Sequence, residues 1–92
     1  MLGALGKCKE TGNVDANTLT DTQLYQISYS SISTITNKPS SVSQPSILVC
    51  IAANNYNIQI WFESTGNCFS RYAQGSGSNW GKWFKFTTTE LQ

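Results

Sequence analysis

The sequence predicts a mainly β chain: one small antiparallel β-sheet domain with at most a short N-terminal helix. Three observations carry that expectation. Apolar and polar residues alternate with a period of two through 23–30 and 57–63, the spacing of a strand rather than a helix. Between these two, Ile47 to Ala53 is an unbroken apolar run, β-branched at Ile47, Val49 and Ile51 and short for a helix. Turn-forming residues, Asn54-Asn55 and Thr65-Gly66-Asn67, follow the later two runs, where hairpins need them.

Taken in order, residues 1–11 show neither period and read as a tail or linker, leaving 12–92 as a single domain. Asn13, Asp15 and Asn17 are cap-type residues around a short Val-Ala-Leu spacing, enough for one helical turn or a loop. In QLYQISYS, Tyr25, Ile27 and Tyr29 share one face and Leu24, Gln26 and Ser28 the other, as in a half-buried strand. Ile32 to Gln44 is rich in Ser and Thr, contains Pro39 and is followed by Pro45, so it is expected as an extended surface loop. The run from Ile47 to Ala53 is the expected central strand, buried on both faces. After the turn at Asn54 to Tyr56, NIQIWFE sets Ile58, Ile60 and Phe62 against Gln59, Trp61 and Glu63.

The next turn leaves the register open. An even loop places Phe62 opposite Phe69, and an odd one brings Trp61 to Arg71. CFSRYAQ is the return strand, GSGSN an exposed loop, and WGKWFKF the last strand. Strict alternation in that strand puts Trp80, Lys82, Phe84 and Phe86 on one face and Gly81, Trp83 and Lys85 on the other; its lysines mark an edge.

Composition narrows the function classes. A 92-residue chain is one domain with a thin core, since folding at this size buries only roughly 60–65% of the unfolded chain's surface. Charged residues make up 12% of it, against about 25% in ordinary soluble domains. Ser, Thr, Asn and Gln replace them, filling 36 of the 92 positions. The net charge is +1 and the six cations are scattered along the chain, so the concentrated basic footprint of a nucleic-acid partner is absent. MLGALG lacks the length and basic start of a signal peptide, and no apolar run has the length of a membrane span. Cys8, Cys50 and Cys68 form an odd set with no C-x-x-C pair and the chain has no histidine, so free thiols are expected, with no disulfide framework and no metal site.

No catalytic residue is assigned. With no histidine, five carboxylates and three thiols, the chain offers no recognisable base beside a nucleophile or acid, and neither enzyme activity nor a cofactor is expected. GSGSNWGKW lacks the spacing of a phosphate-binding P-loop. The sharpest signal is 67–86, with six aromatic rings and three cations. Tyr72 and Trp83 beside Arg71 and Lys85 suit base stacking on a sheet, yet the same rings suit the core of a β domain, and the near-zero net charge favours the core. A sugar is the better match to so polar a chain. Asn54, Asn55, Tyr56, Gln59 and Trp61 form a candidate patch, with Tyr72 and Trp83 as further ligand-binding candidates.

The ordered series ANTLTDTQLYQIS, then PSILVCIAANNYNIQIWFESTGNCFSRYAQGSGSNWGKWFKF, resembles the pyocin-knob-type domain of phage, prophage and tailocin tail fibre proteins. The family's motifs are matched by Asn17, Leu19, Tyr25, Ile27, Pro45, Val49 or Ile51, Gln59, Ile60, Gly66, Asn67, Phe69, Arg71, Trp80 and Trp83, and the likeness runs from about Gly12 to Phe86. SSISTITNKPSSVSQ is longer than is usual there. The resemblance implies a mostly antiparallel β fold, a homotrimer along a fibre axis, and a place in a virion tail fibre made in the bacterial host cytoplasm. It also implies structural roles for Trp80 and Trp83, an Arg71 that stacks or pairs beside a ring, and a hairpin set by Gly66 and Asn67. The chain lacks long shaft segments, which implies either a fragment of a longer fibre or a small stand-alone product. The implied function is a structural module of a tail fibre taking part in host cell-surface attachment. Alternatives are a stand-alone carbohydrate-binding module and, third, a single-stranded nucleic-acid binder.

Overall fold

The computed structural model describes residues 8–75 and 79–86. Its centre is a seven-stranded sheet ordered β1-β2-β3-β4-β5-β6, with β7 also on β5. The strands are β1 (Lys9–Glu10), β2 (Gln23–Ile27), β3 (Ser46–Ala52), β4 (Tyr56–Glu63), β5 (Cys68–Gln74), β6 (Asn79–Trp80) and β7 (Phe84–Lys85). All pairings are antiparallel except β1 with β2. Lys9–Glu10, inside the stretch read as a tail, therefore belongs to the sheet.

The strands end where local chemistry ends them. Ala53 N–H reaches Tyr56 O across Asn54-Asn55, closing β3 onto β4. Between β4 and β5 the chain turns through Ser64-Thr65-Gly66, with Gly66 at φ +100°, a conformation open to glycine and strained for most other residues. Phe62 then pairs with Cys68, Trp61 with Phe69 and Gln59 with Arg71, so the register is neither of the two alternatives. The loop is odd, as the second required, but Arg71 lies two pairs further along than Trp61. Glu63 N–H bonds Asn67 O beyond the last pair and Gly66 N–H bonds Glu63 O, and this turn fixes the offset.

Two further expectations fail at helix and loop. β2 stops at Ile27, and Tyr29–Ile32 is a single-turn α-helix, α1, because Ser31 and Ile32 turn their N–H groups back to Ser28 O. Tyr29 consequently leaves the strand face and is exposed. The stretch from Ile32 to Gln44 is not an extended surface loop. It folds back over the sheet and buries Ile32, Ile35, Pro39 and Val42, since a thin core must draw apolar side chains from wherever the chain supplies them. With the 3-10 helix Ala16–Thr18 it forms the cover of the inner face, stitched by Ala16 N–H to Thr36 O at 2.9 Å and Thr36 N–H to Val14 O at 3.0 Å.

The core lies between this cover and one face of the sheet. Tyr25, Leu48, Trp61 and Phe69 form one cross-strand row on that face, packed against Ala16, Leu19, Ile32, Ile35 and Val42. β3 is central, but it is covered on one side alone: Leu48 and Cys50 are buried, whereas Ile47 and Val49 are half-buried and Ile51 is 41% exposed.

Glu63 fastens the cover to the end of β4. Its Oε2 accepts from the N–H groups of Ser43 and Gln44 at 3.0 and 3.1 Å, and its Oε1 from the Thr65 hydroxyl and the Asn67 amide, both at 2.9 Å. Burial pushes this carboxyl upward, but the Asn67, Ser43, Thr65 and Gln44 bonds together outweigh it and hold its pKa below the usual 4.5. A carboxylate depressed in the folded state adds stability above its unfolded pKa and loses that stability as pH falls through the folded value. Glu63→Gln keeps one acceptor and points donors at donors, so it should cost about 1–3 kcal/mol at pH 7. In urea unfolding the gap from the parent should narrow from pH 5 downward; an unchanged gap at pH 3 would remove Glu63 as the acid-sensitive fastening.

Candidate functional site

Gln59 and Arg71, opposite each other on β4 and β5, organise the inner face at the sheet's far side. Gln59 is fully buried: its Nε2 donates to Ala16 O at 2.8 Å and Leu19 O at 3.1 Å, and its Oε1 accepts from Arg71 Nε at 2.9 Å. The amide thus joins the cover to the sheet. Arg71 is 7% exposed, with its guanidinium carbon 4.4 Å from the ring centroids of both Trp80 and Trp83. Two indole faces replace water around the cation. Burial lowers its pKa to about 10, opposed by the charge of Asp15, so it stays protonated at neutral pH.

A bulge makes this stack possible. Trp80 pairs with Ala73 and Phe84 with Ser70, so three residue steps on β5 face four on the closing segment, and Gly81 N–H bonds Tyr72 O at 2.9 Å. The extra residue resets the alternation. Trp80 and Trp83, expected on opposite faces, therefore both meet Arg71, while Phe84 faces outward and is 70% exposed. Each indole is also anchored: Trp80 Nε1 donates to Asn17 O at 3.0 Å and Trp83 Nε1 to Asn37 O at 2.9 Å. Trp61 meets Trp83 edge to face, with centroids 5.9 Å apart. Lys82 and Lys85 are exposed along the edge, where they discourage further pairing.

The structure divides the sequence-derived candidates between two faces. Gln59 and Trp61 have no exposure, so they leave the proposed sugar patch: their side chains belong to the core. Trp83 is half-buried in the Arg71 stack, and Tyr72 points away from it on the outer face, which separates the rings and cation of the base-stacking arrangement. Asn54 is exposed at the β3–β4 turn. Asn55, Tyr56 and Tyr72 do converge, in an open groove of ≈ 460 Å³ also lined by Ile58, Ser70, Arg71, Gln74 and Phe84. Gly66 and Asn67 sit at the hairpin turn. The exposed loop expected at 75–79 lies partly outside the described residues.

Sequence reasoning missed the contribution of Asn17, Asn37, Lys38 and Ser40, which meet Arg71, Trp80, Lys82 and Trp83 at a second cleft of ≈ 410 Å³. A local signal existed at Asn37, a residue suited to positive φ just before Lys38-Pro39; it sits at φ 62°. Nothing local linked it to Trp83, 46 positions away. The three cysteines are free, and burial pushes the Cys50 thiol up to about 12, leaving it uncharged at neutral pH. Among the described residues no group of three or more Cys, Asp or Glu is placed to hold a metal, and no helix is long and apolar enough to cross a membrane.

No family model and no curated protein matches the chain. Among solved structures it is similar to the P. aeruginosa R1 pyocin fibre comprising C-terminal residues 323–701, with a TM-score of 0.74 and 18% identity over 96% of this chain. The chain spans 24% of that fibre fragment. At this identity the likeness is one of fold: a pyocin fibre contains a domain with this arrangement of strands.

Proposed function

We propose that the chain is a structural module of a phage, prophage or tailocin tail fibre, assembled as a homotrimer and taking part in attachment to the host cell surface. The observation that carries this reading is the outer face of the sheet. Leu24, Ile47, Val49, Ile51, Ile58, Ile60, Phe62 and Tyr72 lie there in register, with no charged side chain among them. Phe62 is 45% and Tyr72 56% exposed. From strand spacing and rise the four-stranded block presents roughly 400 Å², the size of patch that commonly marks an interaction site. This four-stranded block is uncharged, with Glu10 beside it on β1, so it can meet its own copy without like-charge repulsion across the block, which suits symmetric assembly. The fold likeness to a pyocin fibre supplies the setting.

Light scattering after size exclusion tests the assembly. The parent should run as a trimer over a range of concentrations with reductant present, and Phe62→Lys or Ile51→Lys should give folded monomers. A parent that stays monomeric throughout would overturn the trimer. The groove bounded by Asn55, Tyr56 and Tyr72 supports a second reading, a carbohydrate-binding module, because it combines two exposed rings with amide groups. In that case a glycan array should give a coherent response abolished by Tyr56→Ala and Tyr72→Ala. A silent array would remove that reading and leave attachment to another part of a fibre.

A further inference from the structure

We infer that the cleft beside the Arg71 stack, on the inner side of the sheet and away from the outer face, is a binding site for the carboxylate or phosphate group of an acidic sugar. Its lining includes Arg71, Lys38, Lys82, Asn17, Asn37 and Ser40, and no carboxylate lines it among the described residues. The nearest acid to bear on Arg71, Asp15, is already held by Asn17 N–H at 2.9 Å and Asn37 Nδ2 at 2.8 Å. The cleft is therefore cationic on balance.

Arg71 supplies the second, independent observation. A guanidinium has five N–H donors. Among the described residues one of them, on Nε, is used, for the neutral Gln59 amide, and the buried Nη2 has no hydrogen-bond partner. Buried cations are ordinarily paired, because an unpaired one has given up hydration with no counter-charge in return. Nη2 is itself buried, but the charge is delocalised over the whole planar group of a residue that lines the cleft, so its field reaches an anion seated there. The two lysines bring mobile ammonium groups to the rim. Asn17, Asn37 and Ser40 offer amide and hydroxyl groups to the sugar ring, and the buried Asn17 Oδ1 is a second polar atom without a partner.

This site does not depend on the tail-fibre reading, and its test does not measure assembly. The whole chain, in whatever oligomeric state it holds, is titrated at constant ionic strength with glucuronate, glucose 6-phosphate and glucose. The readout is NMR of the indole N–H groups, because those of Trp80 and Trp83 bond backbone carbonyls of two residues that line the cleft, whereas Trp61 is inside the core. Saturable shifts of the Trp80 and Trp83 signals are expected with one or both anions and none with glucose; the tighter anion identifies the preferred group. Lys38→Gln with Lys82→Gln should weaken binding about tenfold, the scale of two part-exposed ion pairs. Lys9→Glu, the same change of net charge on β1 at the other end of the sheet, should leave it intact. Absence of a saturable shift above millimolar concentration, an equal response to glucose, or undiminished binding by the Lys38/Lys82 variant would each overturn the site.

Discussion

Trp61→Ala is expected to lower stability by about 3–5 kcal/mol, the range for deleting a large buried ring. Trp61 has no exposure, lies in the row with Leu48 and Phe69, and supports Trp83 edge-on. At roughly 4–8 °C per kcal/mol for a domain of this size, the midpoint of thermal unfolding should fall by roughly 15–30 °C. Trp61→Phe should recover much of the loss. It keeps most of the apolar volume and removes an indole N–H that is buried without a partner among the described residues. Calorimetry and urea unfolding both read this out. A loss under about 1 kcal/mol for the alanine variant would contradict a core position for the ring.

Gln59→Leu should be comparably severe. The substitution retains apolar volume but strands the Leu19 carbonyl and the Arg71 Nε donor, and leaves Ala16 O with the Leu19 N–H alone. Each stranded group costs about 1–3 kcal/mol when desolvated and unbonded, so a total loss of about 2–6 kcal/mol is expected. Gln59→Glu discriminates between the two halves of the network. It restores an acceptor for Arg71 but cannot donate to the carbonyls, so it should recover part of the loss. Full stability of Gln59→Leu in urea would mean that the amide does not join cover to sheet.

The positions of both residues show what was legible. The alternation in NIQIWFE separated Gln59, Trp61 and Glu63 from Ile58, Ile60 and Phe62, and the strand spans Tyr56–Glu63. Ordinary hydrophobic sorting would turn Ile58, Ile60 and Phe62 inward. The structure does the reverse: Asn57, Gln59, Trp61 and Glu63 are buried, with Phe62 exposed. The polar groups are affordable inside because the cover brings them partners, Ala16 O and Leu19 O for Gln59 and the Ser43 and Gln44 N–H groups for Glu63. Those partners lie 43, 40, 20 and 19 positions away in the chain, beyond the reach of any local pattern.

The candidate site divides in the same way. Asn55, Tyr56 and Tyr72 could be singled out as polar and aromatic residues near turns and strand ends, and they do share a groove. The cleft beside Arg71 could not be found locally, since it joins Asn17, Asn37, Lys38, Arg71 and Lys82 from separate segments. Ile32, Ile35 and Val42 were equally hidden: they are isolated apolar residues in a Ser- and Thr-rich stretch interrupted by Pro39, and they are buried because the loop as a whole folds onto the sheet.

By itself, then, the sequence determined the mainly β class, the extent of β4 and β5 and the places where the chain turns, because a two-residue period and the conformational preferences of Gly66 and Asn54-Asn55 act over a few bonds. Tertiary structure decided which face of β4 is inside, the pairing of Trp61 with Phe69, the bulge at Gly81 and the place of Arg71 between two indoles. Each of those depends on a partner distant in sequence, whose hydrogen bonds and packing exist only once the cover has closed on the sheet.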